Sequence, residues 1–134
     1  MTTYVDSSAL LKRYFPEPDS SVADRLLLGD SVLVTSWVTL IEVQRNLARV
    51  LTGAELRIAK QQLSADLDAM ALVAVDEAVC RAAAQIGEQL AVRSLDAIHL
   101  ASAQRLVIAG LRFVTFDLRQ AQAGRSLGFT VLGS

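Results

Sequence analysis

The sequence predicts an α/β fold, specifically a three-layer α/β/α sandwich with a central, mostly parallel, five-stranded sheet. Two observations support this. Short apolar, β-branched runs alternate with longer stretches of helical periodicity along the 134 residues. The short runs are also continuously apolar rather than alternating, which is typical of parallel strands covered by helices on both faces.

Each predicted element has a local start or stop signal. The predicted strands are residues 4–5, 31–35, 71–75, 113–115 and 129–132. The predicted helices are residues 7–15, 20–29, 37–51, 53–68, 76–92, 95–109 and 118–126. Pro16 and Gly110 are expected to end two of these helices, Ser36 resembles a cap, and Thr52 with Glu55 has the spacing of a capping box. No repeat, low-complexity tract or linker interrupts the series, so we expect residues 1–134 to form one domain.

Composition excludes some classes of protein. The chain has 13 basic and 14 acidic residues, a balance that argues against binding nucleic acid through a broad basic surface. It does not exclude a nuclease in which bound cations neutralise the phosphate. Apolar residues make up 52% of the chain and the mean hydropathy is +0.38. We therefore expect some apolar surface to face another subunit or a partner peptide.

Location is predicted from three features. No apolar run approaches the roughly 20 residues needed to span a bilayer, so no membrane association is expected. The N-terminal residues lack the pattern of a signal peptide. Cys80, a lone cysteine, cannot form an internal disulfide and is interpreted as a packing residue. These features favour a cytoplasmic protein.

Four acidic residues are the candidate functional site. Asp6 directly follows the first predicted strand, Asp117 follows the fourth, and Asp96 opens an apolar helix. Strand–helix alternation places all three at the carboxyl edge of the sheet, where ligands of parallel sheets bind. Glu42 lies a turn and a half into a helix whose start faces the same edge. The convergence favours a shared site.

Taken one at a time, each acid has an alternative interpretation. Asp6, Asp96 and Asp117 are equally well explained as helix N-caps, stabilised by the helix dipole. On a helical wheel Glu42 lies opposite the apolar stripe and beside Arg45, which favours a solvated ion pair. The predicted core stripe of that helix consists of Leu40, Ile41, Leu47, Ala48 and Leu51.

The chemistry of the cluster points to a metal. Neighbouring carboxylates in a partly buried pocket repel one another, so they must bind protons or a cation. The candidate ligands are all hard oxygens, which favours Mg²⁺ or Mn²⁺ over zinc. Carboxylate-held Mg²⁺ commonly acts on phosphates, so the implied reaction is phosphodiester hydrolysis.

The same residues resemble the motifs of the PIN-domain family, and more closely its VapC-type ribonuclease toxins. Residues 4–10 are similar to the family's opening strand and first acid, and residues 36–42 to the segment with its second acid. Residues 94–101, Ser-Leu-Asp-Ala-Ile-His-Leu-Ala, match the third motif closely, and residues 114–117 the fourth. The resemblance covers the whole chain, and the order of the four motifs makes it specific.

The resemblance implies a function and a set of partners. It makes Asp6, Glu42, Asp96 and Asp117 the metal-binding acids of a Mg²⁺- or Mn²⁺-dependent endoribonuclease, the toxin of a toxin–antitoxin pair. It further implies an RNA substrate, a homodimer, and inhibition by a cognate VapB-type antitoxin. Ser8 and Thr115 would hydrogen-bond the acids or a metal-bound water, with capping or turn hydroxyls as the equally good alternative.

Three further side chains near the acids are weaker candidates. Arg93 and Arg119 neighbour Asp96 and Asp117 in sequence and could contact phosphate, although solvated charges are the simpler interpretation. His99, the only histidine, follows Asp96 by three residues and is interpreted as a structural residue rather than a ligand.

Two other functions remain open as alternatives. A receiver-like or other acid-dependent phosphoryl-transfer domain would share the size and the acidic pocket, but would need an acid pair after the first strand and a lysine after the last. Here the first strand ends in one aspartate, and no lysine follows Lys60. A catalytically silent PIN-like binding module would be expected to lack some of the four acids.

Overall fold

A computed structural model of the chain describes residues 1–28 and 32–134, and these contain a parallel α/β sandwich. The strands are β1 (Thr2–Val5), β2 (Val32–Ser36), β3 (Ala71–Val73), β4 (Arg112–Val114) and β5 (Thr130–Leu132). The helices in the same ranges are α1 (Ser7–Leu11), α2 (Ser20–Leu28), α3 (Val38–Val50), α4 (Gly53–Asp68), α5 (Glu77–Leu90), α6 (Ser94–Gln104) and α7 (Leu118–Ser126). The predicted α/β/α fold class is confirmed, and every strand pairing in these ranges is parallel.

The order of the strands creates a crevice at the centre of the sheet. The order is β3-β2-β1-β4-β5. From β1 the chain adds β2 and β3 on one side, and then returns to place β4 and β5 on the other. Strand order therefore reverses between β1 and β4, and parallel sheets bind ligands beyond the carboxyl ends of strands at such a point. Asp6 follows β1, and Asp117 lies three residues beyond β4.

The sheet is covered on both faces because its central strand is apolar on both. Tyr4 belongs to the core on one face, where its ring stacks on Phe113 with centroids 5.2 Å apart. Phe113 stacks in turn on Phe129 at 5.5 Å. Val5 belongs to the core on the other face, with Leu10 and Leu47.

Two helices, α1 and α6, end four or five residues earlier than predicted. α1 ends at Leu11 rather than at residue 15, because the following amides bond three residues back, as Arg13 N does to Leu10 O at 3.1 Å. α6 ends at Gln104 rather than at residue 109, because Val107 has a φ of +52°, which a right-handed helix cannot contain. The predicted end of the second helix at Gly29 and the predicted start of the second strand at Ser31 lie outside the described residues.

The capping predictions had different outcomes. Thr52 precedes α4 in an extended conformation but makes no side-chain capping bond, so the predicted capping box is wrong. The glycine after it, Gly53, has a φ of +57° and takes the turn into the helix. Ser36 does act as a cap, since its Oγ accepts a bond from Val38 N at 3.2 Å, although it belongs to β2.

The predicted orientation of α3 is wrong. Ile41 and Ala48, two members of the predicted core stripe, are exposed, Ile41 by 66%. The buried side chains of the helix are those of Val38, Thr39, Val43 and Leu47. The helix is therefore rotated so that a polar position, Thr39, faces inward and Glu42 lies at the margin of the core instead of opposite it.

Several large apolar side chains are exposed, as the high hydropathy leads one to expect. They include Leu28, Trp37, Ile41, Ile58, Val107 and Leu118. None of the helices in the part of the chain that the structure describes is both long and apolar enough to cross a bilayer.

The corrected orientation of α3 can be checked by two truncations. We expect Leu47→Ala to lower the free energy of unfolding by about 2–5 kcal/mol, because Leu47 is fully buried and leaves a cavity. Ile41→Ala should change it by no more than about 0.5 kcal/mol, because the side chain is exposed. Urea unfolding, monitored by circular dichroism, measures both free energies. Equal losses in the two variants would support the orientation of α3 that was predicted from sequence.

Candidate metal-binding site

Asp6 is buried at the carboxyl end of the central strand, with 3% of its surface exposed. It is the N-cap of α1, and its Oδ1 accepts bonds from Ala9 N at 3.1 Å and from Ser8 Oγ at 2.6 Å. The capping interpretation of Asp6 is thus correct as a description of its geometry. Neither of these two bonds uses Oδ2.

Ser8 and Thr115 connect the ends of the two strands at the crevice. Ser8 Oγ also accepts a bond from Phe116 N at 3.0 Å and lies 3.3 Å from Thr115 Oγ1. Thr115 Oγ1 accepts a bond from Asp117 N at 3.1 Å. Both hydroxyls therefore hold the loops that bear Asp6 and Asp117. Ser8 bonds an acid directly and both hydroxyls accept from backbone amides, so the predicted contact with the acids and the predicted turn role occur together.

Asp117 is the N-cap of α7, and its Oδ1 accepts a bond from Gln120 N at 2.9 Å. The side chain of Gln120 is fully buried and donates from Nε2 to the backbone oxygen of Asp96 at 3.2 Å. Gln120 thus links the loop after β4 to the first turn of α6 and brings Asp117 and Asp96 to the same side of the crevice.

Asp96 is in the first turn of α6 but does not cap it, because the N-cap position belongs to Arg93 and has no side-chain capping bond. Its side chain is 22% exposed, and one oxygen lies 3.7 Å from Nε of Arg93. The argument from strand–helix alternation does not apply here, since α6 follows α5 and not a strand. Packing of α6 against α5 and β2, together with the bond from Gln120, places Asp96 instead.

The charges of three acids influence one another. Burial raises the pKa of Asp6, against the lowering effects of His99, the Ser8 and Thr115 hydroxyls and the Ala9 amide. Burial also raises the pKa of Asp96, and the charges of Asp117 and Asp6 raise it further, while Arg93 and His99 lower it. Asp6, Asp96 and Asp117 therefore form one electrostatic cluster that disfavours full ionisation without a cation.

Glu42 contacts the helix that bears Asp96 through His99. Its Oε1 lies 2.7 Å from Nε2 of His99, which is 1% exposed. The Nδ1 of the same ring lies 2.8 Å from the hydroxyl of Tyr4. The interpretation of Glu42 as a solvated partner of Arg45 is therefore wrong, and the interpretation of His99 as a buried, hydrogen-bonded residue is supported by its contacts.

Both basic candidates are exposed, and one of them contacts an acid of the cluster. Arg93 is 77% exposed and pairs with Asp96. Arg119 is exposed and lines a shallow cleft with Val92 and Gln122. Cys80 is exposed on α5, so its interpretation as a packing residue is wrong.

A divalent cation at this site would need carboxylate or water oxygens as its ligands. Within residues 1–28 and 32–134, no three His, Cys, Asp or Glu side chains are already grouped closely enough to hold a metal ion. Mg²⁺ does not require such a group, because it usually keeps several waters and takes one or two carboxylates directly. Asp6 and Asp117 are each oriented by bonds that Oδ1 accepts, and burial together with the neighbouring acidic charges raises the pKa of Asp96. The acids therefore fit a largely hydrated hard cation.

Two contributors were not predicted from sequence. Asp117 and Gln120 have the spacing of a capping box, which could have indicated Gln120. Its side chain, however, bonds Asp96 O instead of the cap. The role of Tyr4 had no signal in the sequence, because a tyrosine in an apolar strand looks like ordinary core.

The fold agrees with the family comparison. The PIN domain profile matches residues 3–126. This chain belongs to the PIN domain family. Two relatives from Mycobacterium tuberculosis bear it out: ribonuclease VapC46 is 37% identical over 96% of this chain and 95% of its own length. Ribonuclease VapC47 is 32% identical, over 94% of this chain and 92% of its own length.

Solved structures of PIN family proteins share the fold. FitAcB from Neisseria gonorrhoeae superimposes with a TM-score of 0.79 at 19% identity, over 98% of this chain and 96% of the other. VapC20 from Mycobacterium tuberculosis, described as a sarcin-ricin loop cleaving toxin, gives 0.71 at 20% identity, over 92% and 95%. The DNA-bound VapBC complex of Salmonella typhimurium gives 0.72 at 19% identity, over 98% of both chains.

Repulsion within the PIN acid cluster predicts how stability depends on pH. Because the folded-state pKa of Asp96 is raised, its ionisation costs stability as pH rises through that pKa, whereas below the unfolded-state value the cost is absent. In EDTA at pH 7.5 we expect Asp96→Asn to melt a few degrees above the unmodified protein, with the difference vanishing below about pH 4.

Asp76→Asn is the matched control in differential scanning fluorimetry. Asp76 caps α5 through Val79 N at 2.9 Å and pairs with Arg105 at 3.1 Å, so neutralising it should lower Tm or leave it unchanged. A lower Tm for Asp96→Asn at pH 7.5 would show that Asp96 stabilises the helix and is not repelled by the cluster.

Proposed function

We propose that this chain is a Mg²⁺- or Mn²⁺-dependent endoribonuclease, a hydrolase of RNA phosphodiester bonds that serves as the toxin of a toxin–antitoxin pair. The observation that carries the proposal is the cluster of Asp6, Asp96 and Asp117, whose charges repel one another at the point where strand order reverses. The names of the two relatives, both VapC ribonucleases, support the same reaction.

In this proposal Asp6, Glu42, Asp96 and Asp117 hold the cation, directly or through water. The cation would supply positive charge at the scissile phosphate, where this near-neutral chain has no broad basic surface. Ser8 fixes the rotamer of Asp6, and Gln120 fixes the distance between the segments that bear Asp117 and Asp96. Arg93 and Arg119, both exposed, are accessory contacts for the RNA backbone.

The alternative functions are less well supported. Receiver domains have the strand order 2-1-3-4-5, whereas here β1 lies between β2 and β4. A silent PIN-like binding module would have no need of four acids at the crevice, and all four are present.

The metal requirement is tested with purified protein and a structured RNA. We expect cleavage with Mg²⁺ or Mn²⁺, no cleavage in EDTA, and loss of detectable cleavage in Asp6→Asn and Asp96→Asn. Asparagine caps helices as well as aspartate does, so Asp6→Asn should remain folded by circular dichroism.

Asp76→Asn is again the control, because Asp76 is an N-capping aspartate outside the cluster, and its cleavage rate should be unchanged. Full activity in EDTA, or in either cluster variant, would contradict the proposed mechanism.

The proposed partners are a VapB-type antitoxin and a second copy of the chain. The exposed apolar side chains, Trp37 and Ile41 among them, offer surface for such contacts. The related structures include FitAB and VapBC, each bound to DNA. We expect light scattering to give about twice the 14.4 kDa of one chain.

A short reading frame beside the gene is expected to encode a protein that co-purifies with this chain and inhibits its cleavage of RNA. Absence of inhibition by that protein, with cleavage intact, would remove the toxin–antitoxin part of the proposal and keep the nuclease.

A further inference from the structure

A chain of two hydrogen bonds leads from the core of the protein to Glu42, the fourth acid of the proposed site. It joins three elements: Tyr4 in β1, His99 in α6 and Glu42 in α3. The Tyr4 hydroxyl lies 2.8 Å from His99 Nδ1, and Glu42 Oε1 lies 2.7 Å from His99 Nε2. His99 is one helical turn beyond Asp96 on the same helix.

The direction of each hydrogen bond follows from the donor inventory. An ionised carboxylate only accepts, so the bond to Glu42 requires a proton on His99 Nε2. In a neutral imidazole Nδ1 is then bare and needs a donor. Burial raises the pKa of Tyr4 well above its ordinary value, so the phenol keeps its proton and can supply it to Nδ1.

The surroundings leave these groups little freedom. Tyr4 is fully buried between Phe113, on which it stacks, and the ring of His99, which it meets edge-on at 5.9 Å. The hydroxyls of Ser102 and Thr35, which also lie near Tyr4, donate to backbone oxygens. His99 Nδ1, 2.8 Å from the phenol oxygen, has no proton of its own in this tautomer, so it accepts the phenol proton and the sheet fixes the tautomer of the ring.

We propose that Tyr4 and His99 form a positioning relay that holds the carboxylate of Glu42 at the acid cluster, with His99 Nε2 donating to Glu42 and Tyr4 fixing the ring. The proposal rests on the proposed function, because it assigns the relay to the metal site of that nuclease. Glu42 lies on the partly exposed side of α3, where a glutamate with no partner would sample several rotamers. The relay holds it in one.

The relay differs from direct ligation by His99. Both ring nitrogens are engaged with protein groups and the ring is 1% exposed, so His99 acts through Glu42. Groups that orient a metal-binding carboxylate typically change metal affinity or activity about 10- to 100-fold when they are removed.

The first test reads the tautomer in the metal-free protein. Because the chain has a single histidine, ¹⁵N labelling of histidine gives one unambiguous set of ring resonances. We expect the Nε2 resonance of a protonated nitrogen at pH 7.5. In Tyr4→Phe, which removes only the phenol, we expect the ring resonances to shift toward those of exchanging tautomers. An unprotonated Nε2 in the unmodified protein would overturn the relay.

The second test separates positioning from packing with two amides. In His99→Gln the side-chain NH₂ can replace Nε2 and still reach Glu42, whereas in His99→Asn it replaces Nδ1 and cannot. Both variants remove the same ring from the core, so each is the packing control of the other. By calorimetric titration with Mn²⁺, we expect affinity to fall about 10- to 100-fold in His99→Asn and to stay within a few-fold in His99→Gln.

Equal affinities in these two variants, both folded by circular dichroism, would overturn the relay. Glu42→Gln and Asp96→Asn, titrated alongside, separate that outcome from failure of the proposed function. Weak Mn²⁺ binding in both, with no difference between the His99 variants, removes the relay and leaves the metal site. Unchanged Mn²⁺ binding in Glu42→Gln and Asp96→Asn removes the metal site, and the relay with it.

Discussion

Asp6 places a carboxylate in the interior, at the end of the strand on which the sheet is centred. β1 pairs with β2 and β4, so its end is flanked by backbone on both sides and only 3% of Asp6 is exposed. Burial of a charge is costly unless it is hydrogen-bonded or paired. The Ala9 amide and the Ser8 hydroxyl, both at the start of α1, donate hydrogen bonds to the buried carboxylate. The hydroxyl at position 8 is therefore part of what allows Asp6 to be buried.

The same constraint extends to the rest of the crevice. Ser8 serves Asp6 and also the Phe116 amide, so the β1 and β4 loops cannot move independently. Gly133 packs closely against the backbone of the loop that follows β4. Its φ is +101°, and a Cβ there would lie 2.5 Å from Thr115 O. Arg93, which pairs with Asp96, is largely exposed, and an exposed pair is weak. A cation is favoured where the negative charge of the acids remains unbalanced.

Much of the fold could be predicted from sequence because strands and helices here obey local rules. Continuous apolar runs, prolines and caps give the order of all the described strands and helices, and α7 begins and ends where predicted. The positions of Asp6 and Asp117 follow from the ends of β1 and β4. The position of Asp96 does not, since α6 follows a helix. It depends on packing between α5 and α6 and on Gln120, which are contacts distant in sequence.

Glu42 shows why apolar periodicity misplaced one helix. Apolar periodicity places polar residues on the solvent face of a helix. In α3, however, the polar side chains of Thr39 and Glu42 lie beside the apolar stripe and point toward the protein. The hydroxyl of Thr39 is 2.6 Å from that of Thr35 in β2, and Glu42 meets His99 of α6. These partners satisfy the hydrogen-bonding groups of Thr39 and Glu42. A helical wheel does not include contacts with other elements, so it assigned the inward positions to apolar residues, among them the exposed Ile41. A helix that borders a functional crevice buries polar atoms. Apolar periodicity therefore predicts the buried face of a helix least well beside a functional site.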